Sequence, residues 1–449
     1  MSQPEELRGA ERLKSRAHGV LREMAEALLS GEVPARIFND PDVFEWEQER
    51  IFARSWIYLG HESEIPQPGD YVVRYITQDP FIVVRDERGS VRALLNQCRH
   101  RGMQVCRSEM GNASHFRCPY HGWTYRNDGA LVGVPVQKEA YGDALDKSRL
   151  GLMPIPQLDT YNGLIFGTLD EEAPPLAEWL GDIRWYLDLF TLRSPAGLEV
   201  VGAPQRWVAQ VDWKTAGENF IGDSYHTLMT HQSMVELGQA PRDPKYAMYG
   251  EQISIPGKGH GAMLVGAPPG VPLPPFWGYP EEMLERAKAS IATPQQYEIA
   301  KQTRIALATV FPNLSIHNPI RRPHHKYDGH VPMLTFRVWN PLGPGKIEIF
   351  SWFLVERDAP EEFKQLSAWS YLRSFGSSGT FEQDDAELWT QIARNAGTYM
   401  ARKRRANYQM GLHREPDPSW PGPGVAFPVN FTDANLRNFY VRWLEMMVS

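Results

Sequence analysis

The chain has 449 residues, 42% hydrophobic and 22% charged, with a formal net charge of −7. That length predicts two or three domains, and the acidic balance argues against a nucleic-acid binder, which needs a basic surface for phosphate. No apolar run of about eighteen residues is present to span a bilayer, the N-terminus is charged from the start, and three cysteines are too few for a disulfide framework. A cytoplasmic protein without membrane or nucleic-acid partners is expected.

In chain order, Leu7, Leu13, Val20, Leu21, Met24 and Leu28 recur at helical spacing and predict an amphipathic helix over 5–29. From Gly69 the texture changes to short β-rich runs, YVVRYI, FIVVR and VRALL, the last two joined by the turn Asp86-Glu87-Arg88-Gly89. A helix is predicted over about 212–231. The proline-dense GAPPGVPLPPFWGYP at 266–280 predicts a stiff loop. Alternation over 331–340 and 346–356 predicts an antiparallel sheet with one wet face, and helices follow at 361–373 and 380–396. The expected fold is α+β: a helical segment over 1–37 docked on the larger domain, an all-β domain over 38–157 and a larger domain over 158–449 with an antiparallel sheet flanked by helices.

Inside the all-β stretch, Cys98-Arg99-His100 and Cys118-Pro119-Tyr120-His121 are separated by seventeen residues, 101–117, enough for a hairpin that returns the second loop beside the first. Zinc accepts two cysteines and two histidines, but its signatures commonly pair like with like along the chain. Here each loop carries one of each. A Rieske [2Fe–2S] centre accounts for the mixture, since two thiolates hold one iron and two imidazoles the other. Gly102 and Gly122 follow the histidines and allow tight turns. Cys106, without a histidine of its own, is expected to be a small core residue.

A second cluster lies in GENFIGDSYHTLMTH, 217–231, with Asp223, His226 and His231. Residues five apart on an ideal helix point about 140° from each other, so the two histidines share a metal only if the helix bends or widens, as at a π-bulge over 227–230. A carboxylate from elsewhere then completes a two-histidine, one-acid site suited to Fe(II) with open positions for dioxygen. FEQDDAELW, 381–389, offers Glu382, Asp384, Asp385 and Glu387, among which spacing alone does not choose.

These motifs resemble the large (α) subunits of Rieske non-haem iron aromatic-ring-hydroxylating dioxygenases: C-x-H followed by R-G, then C-x-x-H followed by G-W, later N-F-x-G-D-x-Y-H-x4-H and F-E-Q-D-D. The runs GDYVVRYI, HRGMQVCR, GAPQRWV, SMVELG and FPNLSI resemble the naphthalene-, phenanthrene- and phthalate-type branch. The resemblance implies a Rieske cluster held by Cys98, His100, Cys118 and His121, and a mononuclear Fe(II) held by His226, His231 and Asp385. It also gives Asp223 a catalytic role, bridging His121 of one chain to His226 of the next. It further implies a small β subunit in a hexamer of three α and three β chains, with NADH electrons delivered by a reductase and a ferredoxin. The reaction implied adds both atoms of O2 to an aromatic ring to give a cis-dihydrodiol.

By the same carry-over, Asn219, Phe220, His317, Phe375 and Phe381 line the substrate pocket. After FPNLSI the sequence is unusually basic, and His317, Arg321 and Arg322 offer donors to a carboxylate. The expected substrate is an aromatic carboxylate of phthalate type or a polycyclic aromatic hydrocarbon. Two other readings stand beside this one: a Rieske monooxygenase or demethylase, and a zinc-stabilised binding module without enzymatic activity.

Overall fold

The computed structural model describes every residue except 1–6, 8, 9, 11, 12, 15–17, 239, 241, 244, 272–277, 324, 325 and 328. The chain divides into two compact units, residues 52–176 and residues 1–51 with 177–449.

In the smaller unit, four antiparallel strands form one sheet in the order Val91–Leu95, Asp79–Arg85, Asp70–Ile76, Met110–Asn112. The three β-rich runs of the sequence are all present. Asp86 makes the turn between the last two by accepting hydrogen bonds from the main-chain N–H groups of Arg88 and Ser90, both at 2.9 Å. Two three-stranded antiparallel sheets complete the unit, one from His115–Arg117, Thr124–Arg126 and Leu131–Gly133, the other from Ile57–His61, Gln157–Tyr161 and Leu164–Thr168. Its core packs Tyr71, Val73, Ile82 and Val84 against Cys98, Cys118 and Trp123, so the cysteines sit in a dry interior.

The larger unit is built on a nine-stranded antiparallel sheet. Its order runs Leu198–Val200, Lys346–Glu356, Leu334–Gly343, Leu314–Asn318, Ile305–Val310, His260–Val265, Gly250–Ile255 and Val425–Phe427, with Gln205–Ala209 also pairing with Lys346–Glu356. The helix Trp213–Gly222 lies across the middle of this sheet, covered by the C-terminal helix Ala434–Val448. Burial of both faces explains why Leu334–Gly343 is enclosed along most of its length rather than wet on one side.

A buried charge cluster fixes the central helix. Glu47 accepts hydrogen bonds from Lys214 Nζ at 2.7 Å, Trp443 Nε1 at 2.7 Å and Trp213 Nε1 at 2.8 Å, and Asp212 caps the helix by accepting from Lys214 N–H. Every polar group in this cluster has a partner, which makes burial of the Lys214 charge tolerable.

The N-terminal helix is Gly19–Leu28, preceded by an extended His18. It buries Val20, Leu21, Met24 and Leu28 of the expected stripe, while much of the predicted 5–17 portion lies outside the described residues. The centre of the proline-dense loop, 272–277, also lies outside them. The helices Glu361–Ser374 and Thr380–Ala396 fall where the sequence places them.

Candidate metal centres and substrate cavity

The two Cys-His loops of the smaller unit are copies of one backbone turn. Cys98 N–H donates to Met103 O and Cys118 N–H to Trp123 O, each at 2.8 Å; Gly102 N–H returns to Cys98 O at 2.8 Å and Gly122 N–H to Cys118 O at 3.0 Å. The glycines take φ of 74° and 75°, a region that a β-carbon disfavours. Thus each loop holds its cysteine at the same point of the same turn, and the histidine follows two residues later in one loop and three in the other.

This pairing sorts the donors by depth. Both thiols are buried and none of the three cysteines is in a disulfide, whereas His100 is half-buried and His121 exposed. The two imidazoles lie 4.5 Å apart between ring centroids, and His100 stacks on buried Trp123 at 4.9 Å. His100 Nδ1 is buried without a hydrogen-bond partner. Burial raises the Cys98 thiol pKa, Tyr125 and a main-chain hydrogen bond oppose that, and nearby Cys118 raises it further. Tyr125 Oη lies 3.2 Å from Cys98 Sγ and accepts the Arg99 N–H at 3.0 Å. Two buried sulfurs beside two outward imidazoles, one with an unsatisfied nitrogen, form a donor set that fits a Rieske cluster. Cys106 stands apart: Asn96 bonds both its N–H and its carbonyl, and its side chain belongs to the core, as expected.

In the larger unit the expected long helix over 212–231 does not form. It ends at Gly222; Asp223 is non-helical, Tyr225–Leu228 is a short 3-10 turn, and no π-bulge is involved. The break has a tertiary cause: Gln252 Nε2 donates to the Gly222 carbonyl at 2.5 Å, and a β-carbon at Gly222 would meet that Gln252 side chain at 2.9 Å. Freed from helical spacing, the rings of His226 and His231 come to 5.4 Å between centroids.

The helix Thr380–Ala396 supplies the acid. Asp385 Oδ1 lies 3.5 Å from Nε2 of both histidines, and ligand atoms of His226, His231 and Asp385 all fall within 4.8 Å of one another. Such spacing leaves room for a cation with bonds of about 2.1 Å. That Oδ1 is buried with no hydrogen-bond partner, so the donor set fits a metal. Burial pushes Asp385 up to about 7 and His231 down to about 2, while at His226 the pull of Asp223 and Asp385 outweighs burial and raises it to about 9.

The other acids have separate work. Glu382 is buried in an ion pair with Arg337, and Glu387 accepts from Gln391 on the surface. Asp384 Oδ2 stands 3.3 Å from His231 Nδ1, a contact with no signal in the sequence beyond the acid itself. Asp223 does the same for His226: its carbonyl and, at 3.5 Å, its carboxylate face Nδ1. With Nδ1–H donating outward, each histidine presents Nε2 toward Asp385.

Above these groups opens a cavity of about 520 Å³. Asn219, Phe220, His317, Phe375 and Phe381 all line it. Phe381 packs on the His231 ring at 4.8 Å and stacks on Phe375 at 5.3 Å; His317 meets Phe375 edge-on at 4.4 Å. Arg321 also lines the cavity, but Arg322 does not, its Nε donating to Tyr327 O at 2.7 Å. Arg304, which sequence reasoning passed over, joins Arg321 in the wall.

An iron–sulfur donor set on one unit and a metal triad under an aromatic cavity on the other are the two working parts of a Rieske oxygenase. Residues 55–160 match the Rieske [2Fe-2S] domain and residues 176–448 the ring hydroxylating alpha subunit (catalytic domain). A solved naphthalene 1,2-dioxygenase from Rhodococcus sp. bound to indole is 54% identical, superposes with a TM-score of 0.93, and is matched over 96% of this chain and 99% of its own. The N,N-dimethyl phenylurea N-demethylase subunit alpha of Sphingobium sp. (strain YBL2) is 37% identical, covering 94% of this chain and 93% of that protein. The benzene 1,2-dioxygenase subunit alpha of Pseudomonas putida is 36% identical, covering 94% and 92%. The chain belongs to the ring-hydroxylating oxygenase alpha subunits, oxidoreductases whose cofactors are a Rieske [2Fe–2S] cluster and a mononuclear iron. That membership removes the zinc-stabilised binding module as an alternative.

Proposed function

We propose that this chain is the large subunit of an aromatic-ring dioxygenase that combines an arene, O2, NADH and a proton into a cis-dihydrodiol and NAD+. The observation that carries the reading is the convergence of His226, His231 and Asp385 within 4.8 Å on the wall of an aromatic-lined cavity. In this reading Cys98 and Cys118 hold the inner iron of the cluster, His100 and His121 the outer, and His226, His231 and Asp385 the mononuclear iron. When bound, the cluster supplies electrons singly and the mononuclear iron supplies the place where dioxygen is activated.

The chain's own residues do the rest. Asp223 and Asp384 each take the outer N–H of a histidine and hold Nε2 toward Asp385. The Asp223 side chain is 31% exposed, leaving it room to serve as well as the bridge to His121 of a neighbouring α subunit. Phe220, Phe375 and Phe381 supply flat apolar walls that orient a ring and exclude water from it. A small β subunit in a three-plus-three hexamer, a ferredoxin and an NADH-dependent reductase complete the proposed system, and its substrate is an aromatic carboxylate or a polycyclic hydrocarbon.

Oxidative demethylation is a second reading, favoured by the N-demethylase among the relatives. Product analysis with isotopically labelled dioxygen separates the two. A cis-dihydrodiol carrying both labelled atoms is expected from the reconstituted system; formaldehyde from an N-methyl substrate, with no diol from any arene, would replace the dioxygenase reading.

A further inference from the structure

Among the described residues, two half-buried guanidinium groups in the cavity wall, those of Arg304 and Arg321, have no acidic partner. Arg321, at the end of the short strand Ile320–Arg321, donates from one terminal nitrogen to the Ile320 carbonyl at 3.0 Å. Arg304, just before the strand Ile305–Val310, donates to the Tyr246 carbonyl at 3.5 Å, and its guanidinium carbon lies 5.7 Å from the centre of the Tyr246 ring. In both, Nε is buried without a hydrogen-bond partner, and neither forms an ion pair with a described residue. The acids lining the cavity are spoken for: Asp223 and Asp385 face the histidines, and Asp243 accepts the Lys245 N–H at 2.9 Å.

Such an arrangement is unfavourable in the free protein. Both side chains are half-buried, a charge drawn out of water without an opposite charge carries a desolvation cost, and here two like charges share one wall. Burial lowers the pKa of both, and Arg304 lowers that of Arg321 further, to about 9, so Arg321 still carries its charge at neutral pH. An arriving carboxylate relieves the cost, since guanidinium matches its two oxygens with paired N–H donors.

The position of Arg321 suits the chemistry of the site. Its guanidinium carbon lies 4.5 Å from the Phe381 ring centroid, and the His231 ring lies 4.8 Å from that same centroid. A charge held at Arg321 and a carbon presented to the His231 side are therefore separated by about one substituted ring, not by an extended chain. A polycyclic hydrocarbon would fill the aromatic walls but leave both cations unpaired.

We propose that Arg304 and Arg321 together form an anion receptor in the substrate cavity, and that the substrate is an arene carboxylate, best matched with carboxylates on two neighbouring ring carbons. The proposal rests on the ring-oxygenation reading above and names the substrate class within it.

Phthalate, benzoate and naphthalene are the probes, with the complete enzyme and its electron-transfer partners. Anaerobic calorimetry reads binding without turnover, and competition between phthalate and naphthalene reads preference. Phthalate is expected to bind more tightly than benzoate. Arg321→Gln and Arg304→Gln are each expected to weaken phthalate binding and raise its KM roughly 10- to 100-fold, the loss of a charged hydrogen-bonded pair. Arg321→Lys should fall between, keeping the charge without the fork, and Arg322→Gln should bind phthalate as the parent does. The cluster absorbance of each variant reports that it has folded.

Unchanged phthalate affinity in both glutamine variants overturns the receptor. So does an enzyme that dihydroxylates naphthalene while phthalate neither binds nor competes, an outcome that leaves the ring-oxygenation reading in place. Arginine-dependent phthalate binding without oxygenation of any arene does the reverse, keeping the receptor and removing the reaction.

Discussion

In the smaller unit the four proposed donors come from residues 98–121, on two turns with the same hydrogen bonds. In the larger unit the three proposed donors come from the segment after a broken helix, 226–231, and from Asp385, more than 150 residues later. The first proposed centre is built by local backbone geometry, with its two thiols in a hydrophobic core and its imidazoles toward the surface. The second is assembled by tertiary packing and depends on neighbours, Asp223 and Asp384, that aim each imidazole. A local centre should tolerate changes elsewhere and respond to its own turns; an assembled one should be sensitive to the residues that orient its ligands.

Substitutions test that contrast, beginning with the most severe. Asp385→Ala removes the only described carboxylate within reach of both Nε2 atoms. Product formation should fall by three orders of magnitude or more while the visible spectrum of the cluster stays intact; normal product yield would remove Asp385 from the site. Asp223→Asn keeps the shape but loses the anion facing His226, and turnover should drop roughly 10- to 100-fold with little change in KM. An unaltered rate would reduce Asp223 to a turn residue. Asp384→Asn should act in the same direction on His231 but more weakly, because Ser233 Oγ also donates to the Asp384 carboxylate and shares it with the imidazole.

On the other centre the expected effects are smaller and of another kind. Tyr125→Phe deletes the hydroxyl beside Cys98 Sγ, so the cluster's reduction potential should move to more negative values, as hydrogen bonds to sulfur help set it. A redox titration that gives the parent value would assign Tyr125 to packing alone. Gly102→Ala places a β-carbon at a φ of 74° with nothing within 4 Å. Its cost should therefore be backbone strain only, about 1 kcal/mol of stability by thermal unfolding, with the cluster retained.

The same division governs what the sequence discloses. Cys98 to His121 are legible because donors, glycines and turn all lie in one short stretch. The strand Lys346–Glu356 is legible from its alternation and Asp70–Ile76 as a short β-rich run. The strands His260–Val265 and Leu314–Asn318 are buried on both faces along their whole length, which erases the alternation that would mark them as strands. The break after Gly222 escapes notice because its cause, the Gln252 side chain, comes from a strand thirty residues away. Among the four acids of 381–389, only the three-dimensional neighbours separate Asp385 from Asp384, one residue apart and on different faces of the helix. Arg304 left no mark at all, since a single arginine at the start of a strand is ordinary until its neighbours show that none of the described acids answers it.

Iron and acid-labile sulfide counts in two variants, purified anaerobically, test most directly whether the chain builds two separate centres. The parent should give iron and sulfide in a ratio of about 3 to 2, one [2Fe–2S] cluster and one further iron. Asp385→Ala should fall to about 2 to 2 with its cluster spectrum unchanged, and Cys98→Ser should lose the sulfide yet keep the lone iron. Full iron in Asp385→Ala, or sulfide retained in Cys98→Ser, would contradict the assignment of these donors to two centres.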